Sequence, residues 1–302
     1  MHYRALNDYL RERFGRKVYK LSLRGLATCP NRDGTVGTRG CIFCSDTGSG
    51  EFAACGGDIP AQLTDAKRRV ADKVPPDAAF IAYFQSFTNT YAPAAVLRPL
   101  FTAAMAPEDI VALSIATRPD CLGEDVLDLL SELNQQKPVW VELGLQTIHP
   151  ATARYIRRGY DLAVFDAAVQ RLKERGIEVI VHQIIGLPGE SEDMVYATAD
   201  HIARSGAGGV KFHLLHVLRF TDLAADYEAG QFQTLEREEY FRLLCACIER
   251  MPPEMVIHRL TGDGPKRDLL APLWSGDKKR VLNALRRYMD RHDVQQGRHY
   301  GG

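Results

Sequence analysis

The chain is 302 residues long and carries 38 Lys and Arg residues against 38 Asp and Glu residues, so its formal net charge is zero. With 45% hydrophobic and 25% charged residues it has the composition of a folded domain that builds a core without disulfides or structural metals. This composition excludes a disordered or polybasic chain, and the charge balance gives no whole-chain sign of a nucleic-acid partner.

The start of the chain carries no export signal. Residues 1–20 are charged throughout and lack the apolar centre of a secretory signal. No stretch approaches the roughly 18 consecutive apolar residues that a membrane span needs. The seven cysteines, an odd number, are therefore expected to be free thiols or metal ligands. We expect a cytoplasmic protein without a membrane partner.

Short β-branched runs alternate with amphipathic stretches of helical length over most of the chain. We predict six strands, at residues 18–24, 79–85, 110–117, 139–146, 178–186 and 209–217. Helices are predicted between them, at residues 60–73, 93–105, 124–134, 162–175 and 191–205. This alternation predicts an α/β fold with a parallel sheet and helical crossovers, which is either a doubly wound sheet or an incomplete barrel.

The pattern changes near residue 220. Predicted helices at 234–250 and 277–292 flank a Pro- and Gly-rich middle with one short strand candidate, at 255–258. We therefore divide the chain into a main domain, residues 1–220, and an α-rich C-terminal extension, residues 221–302, packed on it. The residues after the short strand, His258 and Arg259, are further pocket candidates.

Three cysteines lie close together in the loop that follows the first predicted strand. Cys29, Cys41 and Cys44 fall within sixteen residues, and three glycines separate the first two. That loop leaves the carboxyl end of its strand, which is where parallel α/β folds place their active sites. Glycines there permit the irregular backbone that turns amide groups toward sulfur.

The number of clustered cysteines bears on which metal centre they could hold. A four-iron cluster held by three thiolates keeps one iron without a protein ligand, and an open position distinguishes a catalytic metal site from a structural one. The alternative is a structural zinc site, with Cys55 as the fourth thiolate. The spacing alone leaves both interpretations open.

Five segments in a fixed order carry a resemblance to a known family. They are Cys29-Pro-Asn-Arg-Asp-Gly with Gly-Cys41-Ile-Phe-Cys44, Thr117-Arg-Pro-Asp120, Glu142-Leu-Gly-Leu-Gln146-Thr, Arg158-Gly-Tyr160 and Gly186-Leu-Pro-Gly-Glu190. Together they resemble the radical S-adenosylmethionine (SAM) family of YhcC-like and YtqA-like proteins, which are relatives of the radical SAM domain of the Elongator catalytic subunit. The resemblance runs from about residue 17 to residue 274.

The resemblance implies a partial (β/α)6 TIM-like barrel and a [4Fe–4S] cluster held by Cys29, Cys41 and Cys44. It further implies reductive cleavage of SAM to a 5′-deoxyadenosyl radical, driven by a one-electron donor such as flavodoxin or ferredoxin. Its relatives suggest tRNA as the substrate, at the side chain of a wobble uridine. No acetyltransferase segment follows in the 302 residues, so Elongator-like acetyl transfer is not expected.

Strand parity identifies polar candidates on the fourth predicted strand. Glu142 and Gln146 share one face of residues 139–146, and a buried strand must satisfy such groups with partners. A polar ligand in the lumen would do so, and the resemblance implies the methionine or ribose of SAM. An internal hydrogen-bond network is the alternative.

Other SAM-binding candidates lie at the ends of the remaining strands. Arg118 ends the third strand, where it would meet a carboxylate or form a structural salt bridge. Further candidates, which also have structural explanations as a tight turn or a cluster shield, are Phe43, Gln85, Ser86, Gly186 and Leu187. The resemblance implies that Gln85, Ser86 and Thr88 replace the Gly-Gly-Glu stretch that usually binds the methionine amine in this superfamily, because that stretch is absent here.

Substrate candidates are basic or carry an imidazole. Lys211 and His213 share a face of the sixth strand, and His182 lies on the fifth, although a strand histidine is commonly a satisfied core residue. Arg157 and Arg158 belong to a basic run that would grip an RNA backbone or would simply be solvated.

Three functions stay open at this point. The first is a radical SAM enzyme that modifies tRNA. The second applies the same radical chemistry to a small metabolite or a protein side chain. The third is a zinc-stabilised binding module without catalysis.

Overall fold

The computed structural model describes residues 2–26, 28–46, 48, 53, 56–262 and 264–301. Its centre is one sheet of seven parallel strands in the order β1-β2-β3-β4-β5-β6-β8. The strands of this sheet are β1 (Val18–Leu23), β2 (Ala79–Phe84), β3 (Ile110–Thr117), β4 (Val139–Gln146), β5 (Glu178–Ile185), β6 (Gly209–Leu214) and β8 (Val256–Arg259). A second, two-stranded antiparallel sheet is formed by β7 (Val217–Leu218) and β9 (Leu269–Ala271).

Helices cover the outer face of the sheet and close one end of it. The α-helices are α1 (Leu6–Phe14), α2 (Ile59–Val70), α3 (Ala94–Met105), α4 (Glu124–Asn134), α5 (Pro150–Tyr155), α6 (Leu162–Glu174), α7 (Glu192–Arg204), α8 (Asp222–Glu228), α9 (Arg237–Arg250) and α10 (Lys278–Arg291). Short 3₁₀ helices occur at Ala71–Lys73, Pro119–Cys121 and Leu273–Gly276. None of the helices within the described residues combines the length and apolarity that crossing a bilayer requires.

The sheet is curled into a partial barrel. The ammonium group of Lys211 on β6 lies 3.2 Å from the hydroxyl of Tyr83 on β2, four strands away. In a flat sheet those strands would stand about 19 Å apart, at about 4.8 Å per strand, which is beyond the reach of two side chains. The predicted partial TIM-like barrel is therefore confirmed.

All six predicted strands of the main domain are present, and their ends agree within three residues. The sixth differs because the chain leaves the sheet after Leu214, and Val217 pairs instead with Ala271 of β9. The short predicted strand at 255–258 appears as β8, whose Val256 and Ile257 pair with Gly209 and Val210 of β6. It thus adds a seventh strand to the barrel.

Three helices were not predicted: α1, α5 and α8. Helix α1 closes the end of the barrel at which the strands begin. Its buried Leu10 packs in one apolar cluster with Ile81, Ala112, Trp140 and Ile180, which point inward from four strands. This apolar cluster forms the floor of the barrel lumen. The main core lies on the other face, between the sheet and its outer helices.

The C-terminal part is joined closely to the barrel. Strand β8 extends the sheet, and α9 packs against α7. Residues just after β8, including Gly262 and Gly264, line the central cavity. The extension therefore shapes the pocket as well as covering the sheet edge, while the division at residue 220 stays a prediction.

Candidate active site

A cavity of about 290 Å³ opens at the carboxyl end of the barrel. Its wall includes the three clustered cysteines, the inward-facing residues of β2 to β6 and the segment after β8. Thirteen of the predicted site residues line it: Cys29, Cys41, Phe43, Cys44, Gln85, Thr88, Arg118, Glu142, Gln146, Arg158, His182, His213 and Arg259. The cavity thus brings together side chains from segments that lie far apart in the sequence.

The cysteine loop is fixed by hydrogen bonds within itself. The carbonyl of Cys29 accepts from the amides of Arg32 and Asp33, and the carbonyl of Asn31 accepts from the Gly40 amide at 2.7 Å. The guanidinium of Arg32 donates to the carbonyls of Cys44 at 3.1 Å and Ser45 at 2.6 Å. The loop therefore has a defined shape although it contains no regular secondary structure.

A second set of bonds ties this loop to the segment after β4. The side-chain amide of Asn31 donates to the Arg157 carbonyl at 2.6 Å and to the Cys41 sulfur at 3.6 Å. The Ile42 amide donates to the Ile156 carbonyl at 3.2 Å. Gly37 permits this contact, because a Cβ there would stand 2.6 Å from Oδ1 of Asn31. Gly37, one of the three glycines noted in the sequence, thus allows close packing around the Asn31 side chain.

The three thiols share one environment. Burial raises the pKa of Cys41 to about 12, and the neighbouring Cys44 adds to the shift, while Arg118 opposes it. A metal that binds here must displace that proton, so its affinity depends on pH. Among the described residues, no three His, Cys, Asp or Glu side chains stand in the arrangement that holds a single metal ion. Cys55, the fourth thiolate of the zinc alternative, lies outside the described residues.

Arg118 is occupied by partners from the protein itself. Its guanidinium makes a bidentate pair with Asp120, at 2.9 and 2.7 Å, and donates to the Arg158 carbonyl at 2.8 Å. It also lies 5.0 Å from the centre of the Tyr160 ring. The salt-bridge explanation describes this side chain well, and its predicted contact with SAM stays a prediction.

Arg158 does not form a surface contact for RNA. It is 2% exposed, and its guanidinium donates to the carbonyls of Leu145, Thr147 and Tyr160 at 2.6 to 3.1 Å. The expectation of a phosphate-gripping role is therefore wrong for this residue, because its donors hold the end of β4 in place. Arg157 is partly exposed and pairs with Asp222 of α8 at 2.5 Å.

Gly186 and Leu187 lie beside the cavity and not on its wall. Leu187 packs with Ile42 and Ile156 in a small apolar cluster. Gly186 has φ +93°, and a Cβ there would stand 2.9 Å from Leu235. The positive φ of Gly186 suits a tight turn, and the predicted contact of both residues with adenine or ribose stays a prediction. Ser86 is likewise buried away from the wall, whereas Gln85 and Thr88 line it.

Two non-glycine residues of the cavity wall have a left-handed backbone conformation. Gln146, at the end of β4, has φ +61°, and Phe87 has φ +60°. Such conformations cost about 1–3 kcal/mol each and persist where the surroundings enforce them, often at ligand sites. For Gln146 the enforcement is visible, because the Arg158 guanidinium holds the carbonyls on either side of it.

Glu142 lies at the centre of a buried polar layer in the barrel lumen. It is 1% exposed, and its Oε1 accepts from Lys20 at 2.8 Å and from Ser114 at 2.7 Å. Its Oε2 accepts from Lys211 and bonds to Nε2 of His182 at 2.9 Å. Side chains from four other strands, β1, β3, β5 and β6, thus contact the two carboxylate oxygens. The internal-network alternative describes this carboxylate, and its predicted contact with SAM stays a prediction.

The charges of this layer follow from burial and pairing. Burial alone would raise the pKa of Glu142, but Lys20, Lys211 and the His182 hydrogen bond outweigh burial and hold it well below its usual range. Burial lowers the pKa of His182 to about 4, although Glu142 opposes the shift. Burial also takes the pKa of His213 well below its ordinary value. The layer therefore holds an ionised carboxylate and two neutral imidazoles at neutral pH.

Sequence reasoning missed Lys20 and Tyr83. Both sit on strands whose alternation places them on the inner face, and a lysine within a predicted strand of the sheet is the signal that could have identified Lys20. Their roles depend on the curl of the sheet, which brings β1 and β2 opposite β4 and β6.

Comparison with known proteins agrees with this fold and site. Residues 33–202 match the model of the radical SAM superfamily, and residues 207–291 match the radical SAM C-terminal domain. The chain belongs to the radical SAM superfamily and is a radical SAM enzyme. Membership implies SAM and an iron–sulfur cluster as cofactors.

The individual relatives include near and distant ones. The chain is 46% identical over 299 residues to the uncharacterized protein YtqA of Bacillus subtilis, covering 99% of this chain and 92% of YtqA. It is 39% identical over 287 residues to protein YhcC of Escherichia coli, covering 95% of this chain and 92% of YhcC. The YhcC- and YtqA-like resemblance is confirmed.

More distant matches extend to the Elongator group. A tRNA uridine(34) acetyltransferase of Methanocaldococcus jannaschii is 28% identical over 189 residues, covering 61% of this chain and 34% of that protein. The structure of Elp3 from Methanocaldococcus infernus superposes with a TM-score of 0.69 at 19% identity, covering 92% of this chain and 64% of that one. The second match shows a shared fold.

Proposed function

We propose that Cys29, Cys41 and Cys44 hold a [4Fe–4S] cluster at which SAM is cleaved, and that the enzyme modifies tRNA at the side chain of a wobble uridine. The observation that supports the first part is that all three cysteines line the barrel cavity. The tRNA part is supported by the distant relative that acts on tRNA uridine 34.

The residues around the sulfurs suit an anionic metal cluster. Asn31 donates a hydrogen bond to the Cys41 sulfur, and the guanidinium groups of Arg32, Arg118 and Arg158 border the same cavity. Three thiolates carry three negative charges, which nearby cations and amide donors stabilise. When bound, the cluster supplies the electron that cleaves SAM to a 5′-deoxyadenosyl radical. A flavodoxin or ferredoxin is the donor we expect.

The cavity offers groups that bind and orient SAM. Gln85, Thr88 and Gln146 present amide and hydroxyl groups on the cavity wall, and Phe43 adds an apolar surface between two of the cysteines. Such a mixture of apolar walls and a few convergent polar groups is typical of small-molecule sites. These side chains place SAM and limit the access of water.

Metal analysis tests the cluster. After anaerobic reconstitution we expect iron and sulfide in equal amounts, with 5′-deoxyadenosine released on addition of SAM and a strong reductant. Cys41→Ala should abolish both, whereas Cys121→Ala, a matched thiol outside the cavity, should leave both intact. One tightly bound zinc without sulfide would support the binding module instead. Loss of all metal in Cys55→Ala would contradict the three-cysteine site.

The nucleic-acid substrate needs a separate test. Nucleoside mass spectrometry of tRNA from a deletion strain should show the loss of one modified uridine, restored by the wild-type gene but not by a Cys41→Ala copy. An unchanged profile would favour the second candidate, the same chemistry on a small metabolite or a protein side chain. The modest size of the cavity and its buried polar layer are the observations in favour of that candidate.

A further inference from the structure

The turn between β7 and α8 exposes an aromatic ring. Phe220 is 89% exposed, the highest value among the large apolar side chains that the described residues leave on the surface. A single exposed apolar residue is common on folded proteins. The backbone beneath this one is unusual, because Phe220 has φ +66°, a left-handed conformation that a bulky residue rarely adopts. The exposed ring and the strained backbone thus coincide at one position.

Hydrogen bonds hold the turn in this conformation. The carbonyl of Leu218 accepts from the amide of Thr221 at 3.4 Å and from its hydroxyl at 2.7 Å. The same hydroxyl accepts from the Ala224 amide at 3.2 Å and so caps α8. A turn with positive φ at its third residue favours Gly or Asn. These bonds explain the shape of the turn, but they do not explain an exposed phenylalanine at a position that glycine fills without strain.

Phe220 lies beside the cavity that we propose as the reaction site. It follows Leu218, which lines the cavity, by two residues, a span of at most about 7 Å along the backbone. The Arg219 amide donates to the Asp268 carbonyl at 2.7 Å, which joins the turn to the segment before β9. In that segment Gly264 also lines the cavity. The exposed ring therefore stands at the rim of the site.

Two exposed cations lie on the same rim. Arg219 precedes the ring in the turn, and Lys266 follows the wall residue Gly264 by two positions. Both residues are exposed. Within the ranges that the structure describes, the side chain of neither has a hydrogen bond or an ion pair. They are therefore available to a polyanion that approaches the cavity from outside.

A further basic group begins two residues after the ring. The carboxylate of Asp222, the first residue of α8, pairs with Arg39 at 2.7 Å and with Arg157 at 2.5 Å. One carboxylate is thus shared by two guanidinium groups, and the Arg39 side chain stays 68% exposed. Arg39 belongs to the cysteine loop, so positive charge extends from the turn toward the proposed cluster site. Arg157 is one of the residues that the sequence predicts to contact RNA.

An exposed ring among cations is suited to unpaired nucleotides. Bases of single-stranded RNA stack on aromatic side chains, while Lys and Arg follow the phosphates. An enzyme that acts on a base takes that nucleotide out of its stack, and the neighbouring bases lose a stacking partner. A ring at the rim of the cavity is placed to stack on such a neighbour.

We propose that Phe220 stacks on an unpaired RNA base next to the nucleotide that enters the cavity, and that Arg219 and Lys266 contact phosphates of the same strand. This role of Phe220 rests on the proposed function, because it takes an RNA to be the substrate of this cavity. The aromatic ring makes the surface selective for single-stranded RNA, since a paired base has no free face for it.

Binding of RNA to the reconstituted holoenzyme in the presence of SAM tests this surface. The probes are a fluorescent anticodon stem–loop RNA with uridine at position 34 and a duplex RNA of the same length, both followed by fluorescence anisotropy. Phe220→Gly should weaken binding of the stem–loop about fivefold or more, the loss expected for one stacked base, and leave binding of the duplex unchanged. Phe220→Trp should bind the stem–loop at least as tightly as the wild type does.

The stability of Phe220→Gly separates recognition from folding. Glycine adopts the left-handed conformation without strain, so the variant should unfold at the same or a higher urea concentration than the wild type. Phe220→Asn, whose side chain also tolerates this conformation, is the second variant. Val96→Ala, which truncates an exposed apolar residue on α3, is the matched control and should bind the stem–loop as the wild type does.

The cations are tested through salt dependence. Arg219→Gln and Lys266→Gln should each weaken binding of the stem–loop and reduce the steepness of log Kd against log salt concentration by about 1. Arg280→Gln, at an exposed position on α10, is the control and should keep the wild-type slope.

Three outcomes would overturn the role of Phe220. They are the absence of saturable stem–loop binding by the wild type, equal stem–loop affinity of wild type and Phe220→Gly, and an equal loss of stem–loop and duplex binding in that variant. Slower reduction of the cluster by flavodoxin in Phe220→Gly, with unchanged RNA affinity, would assign the ring to a protein partner instead. The nucleoside profile of the deletion strain is measured in parallel. An unchanged profile with a Phe220-dependent stem–loop affinity would contradict the proposed modification alone, and the reverse would contradict the RNA surface alone.

Discussion

The side-chain amide of Asn31 lies 3.6 Å from the sulfur of Cys41 and donates at the same time to the carbonyl of Arg157, at 2.6 Å. One amide thus connects the cysteine loop to the end of the fourth strand and places a donor on a proposed cluster ligand. Hydrogen bonds to cluster sulfurs favour the reduced, more negative state and so raise the reduction potential.

Asn31→Ala should therefore lower the potential of the bound cluster. The variant loses the N–H···S bond, while the thiolates themselves are retained. A redox titration followed by electron paramagnetic resonance measures the shift, and iron and sulfide analysis shows that the cluster is complete. Asn134→Ala, which removes an amide that bonds to the Gly176 carbonyl on the outer surface, is the control. A fully loaded Asn31→Ala protein with the wild-type potential would refute a tuning role.

A methyl group at Gly144 tests the shape of the cavity. A Cβ there would stand 2.5 Å from Nε2 of Gln146 and 3.5 Å from the Tyr160 hydroxyl, so the Gln146 side chain must move. We expect Gly144→Ala to weaken SAM binding roughly tenfold, which corresponds to about 1.4 kcal/mol, because a wall residue is displaced. Equilibrium binding of SAM to the reconstituted protein measures the effect.

The matching variant is Gly301→Ala, where a Cβ meets no atom within 4 Å. It should bind SAM as the wild type does. If Gly144→Ala also retains wild-type affinity while it folds normally, Gln146 does not contribute to the SAM site.

Strand parity predicted the inner position of Glu142 but not its partners. Alternation along one strand is a local property, and it placed Glu142 and Gln146 on the lumen face correctly. The contact between Lys20 and Glu142 joins residues 122 positions apart and depends on the curl of the whole sheet. No pattern within a single strand reports that curl.

The turns were harder to interpret for a different reason. Gly186 and Leu187 form a β–α turn whose glycine suits either a close ligand or a tight turn, and the closeness of Leu235 to Gly186 follows only from the tertiary fold. Arg158 belongs to a basic run in the sequence, yet it is buried, because its guanidinium donates to the backbone carbonyls of Leu145 and Thr147 at the end of β4. Tertiary contacts, which no local pattern reports, determine the surroundings of both positions.

His182 gives the stability of the protein a defined pH dependence. Its pKa is 6.5 in the unfolded chain and about 4 in the folded one, lowered chiefly by burial. The unfolded state therefore binds one more proton than the folded state between these values. Stability from this residue is complete above pH 6.5 and is lost as the pH falls toward 4, at a slope of up to about 1.4 kcal/mol per pH unit.

His182→Gln should reduce the slope of the unfolding free energy against pH in this range, because the variant no longer takes up about one proton on unfolding. Urea unfolding at a series of pH values between 4 and 7 measures the slope. His299→Gln changes an exposed imidazole near the end of the chain, outside the lumen, and serves as the control. A slope equal to that of the wild type would mean that His182 is charged in the folded protein.

Glu142 should be the most sensitive single position in the lumen for stability. Glu142→Gln removes the negative charge shared by Lys20 and Lys211. Its side-chain NH2 group also faces N–H or O–H donors that now bond to a carboxylate oxygen. Breaking a buried ion pair from one side costs about 3–5 kcal/mol. Ser114→Ala removes one hydrogen bond from the same carboxylate and keeps every charge, so it should cost about 1 kcal/mol. Unfolding free energies at pH 7 test this order.

The pH dependence of that difference checks its electrostatic origin. The folded-state pKa of Glu142 lies well below the unfolded value of 4.5, so its contribution is complete above pH 4.5 and is lost as the pH falls through the folded-state value. Below pH 4.5 the wild type should lose stability faster than Glu142→Gln, and the gap between them should narrow. A gap that stays constant down to low pH would show that packing, and not charge, makes Glu142 important. Since Gln keeps the shape of Glu closely, the charge is the difference that we expect to matter.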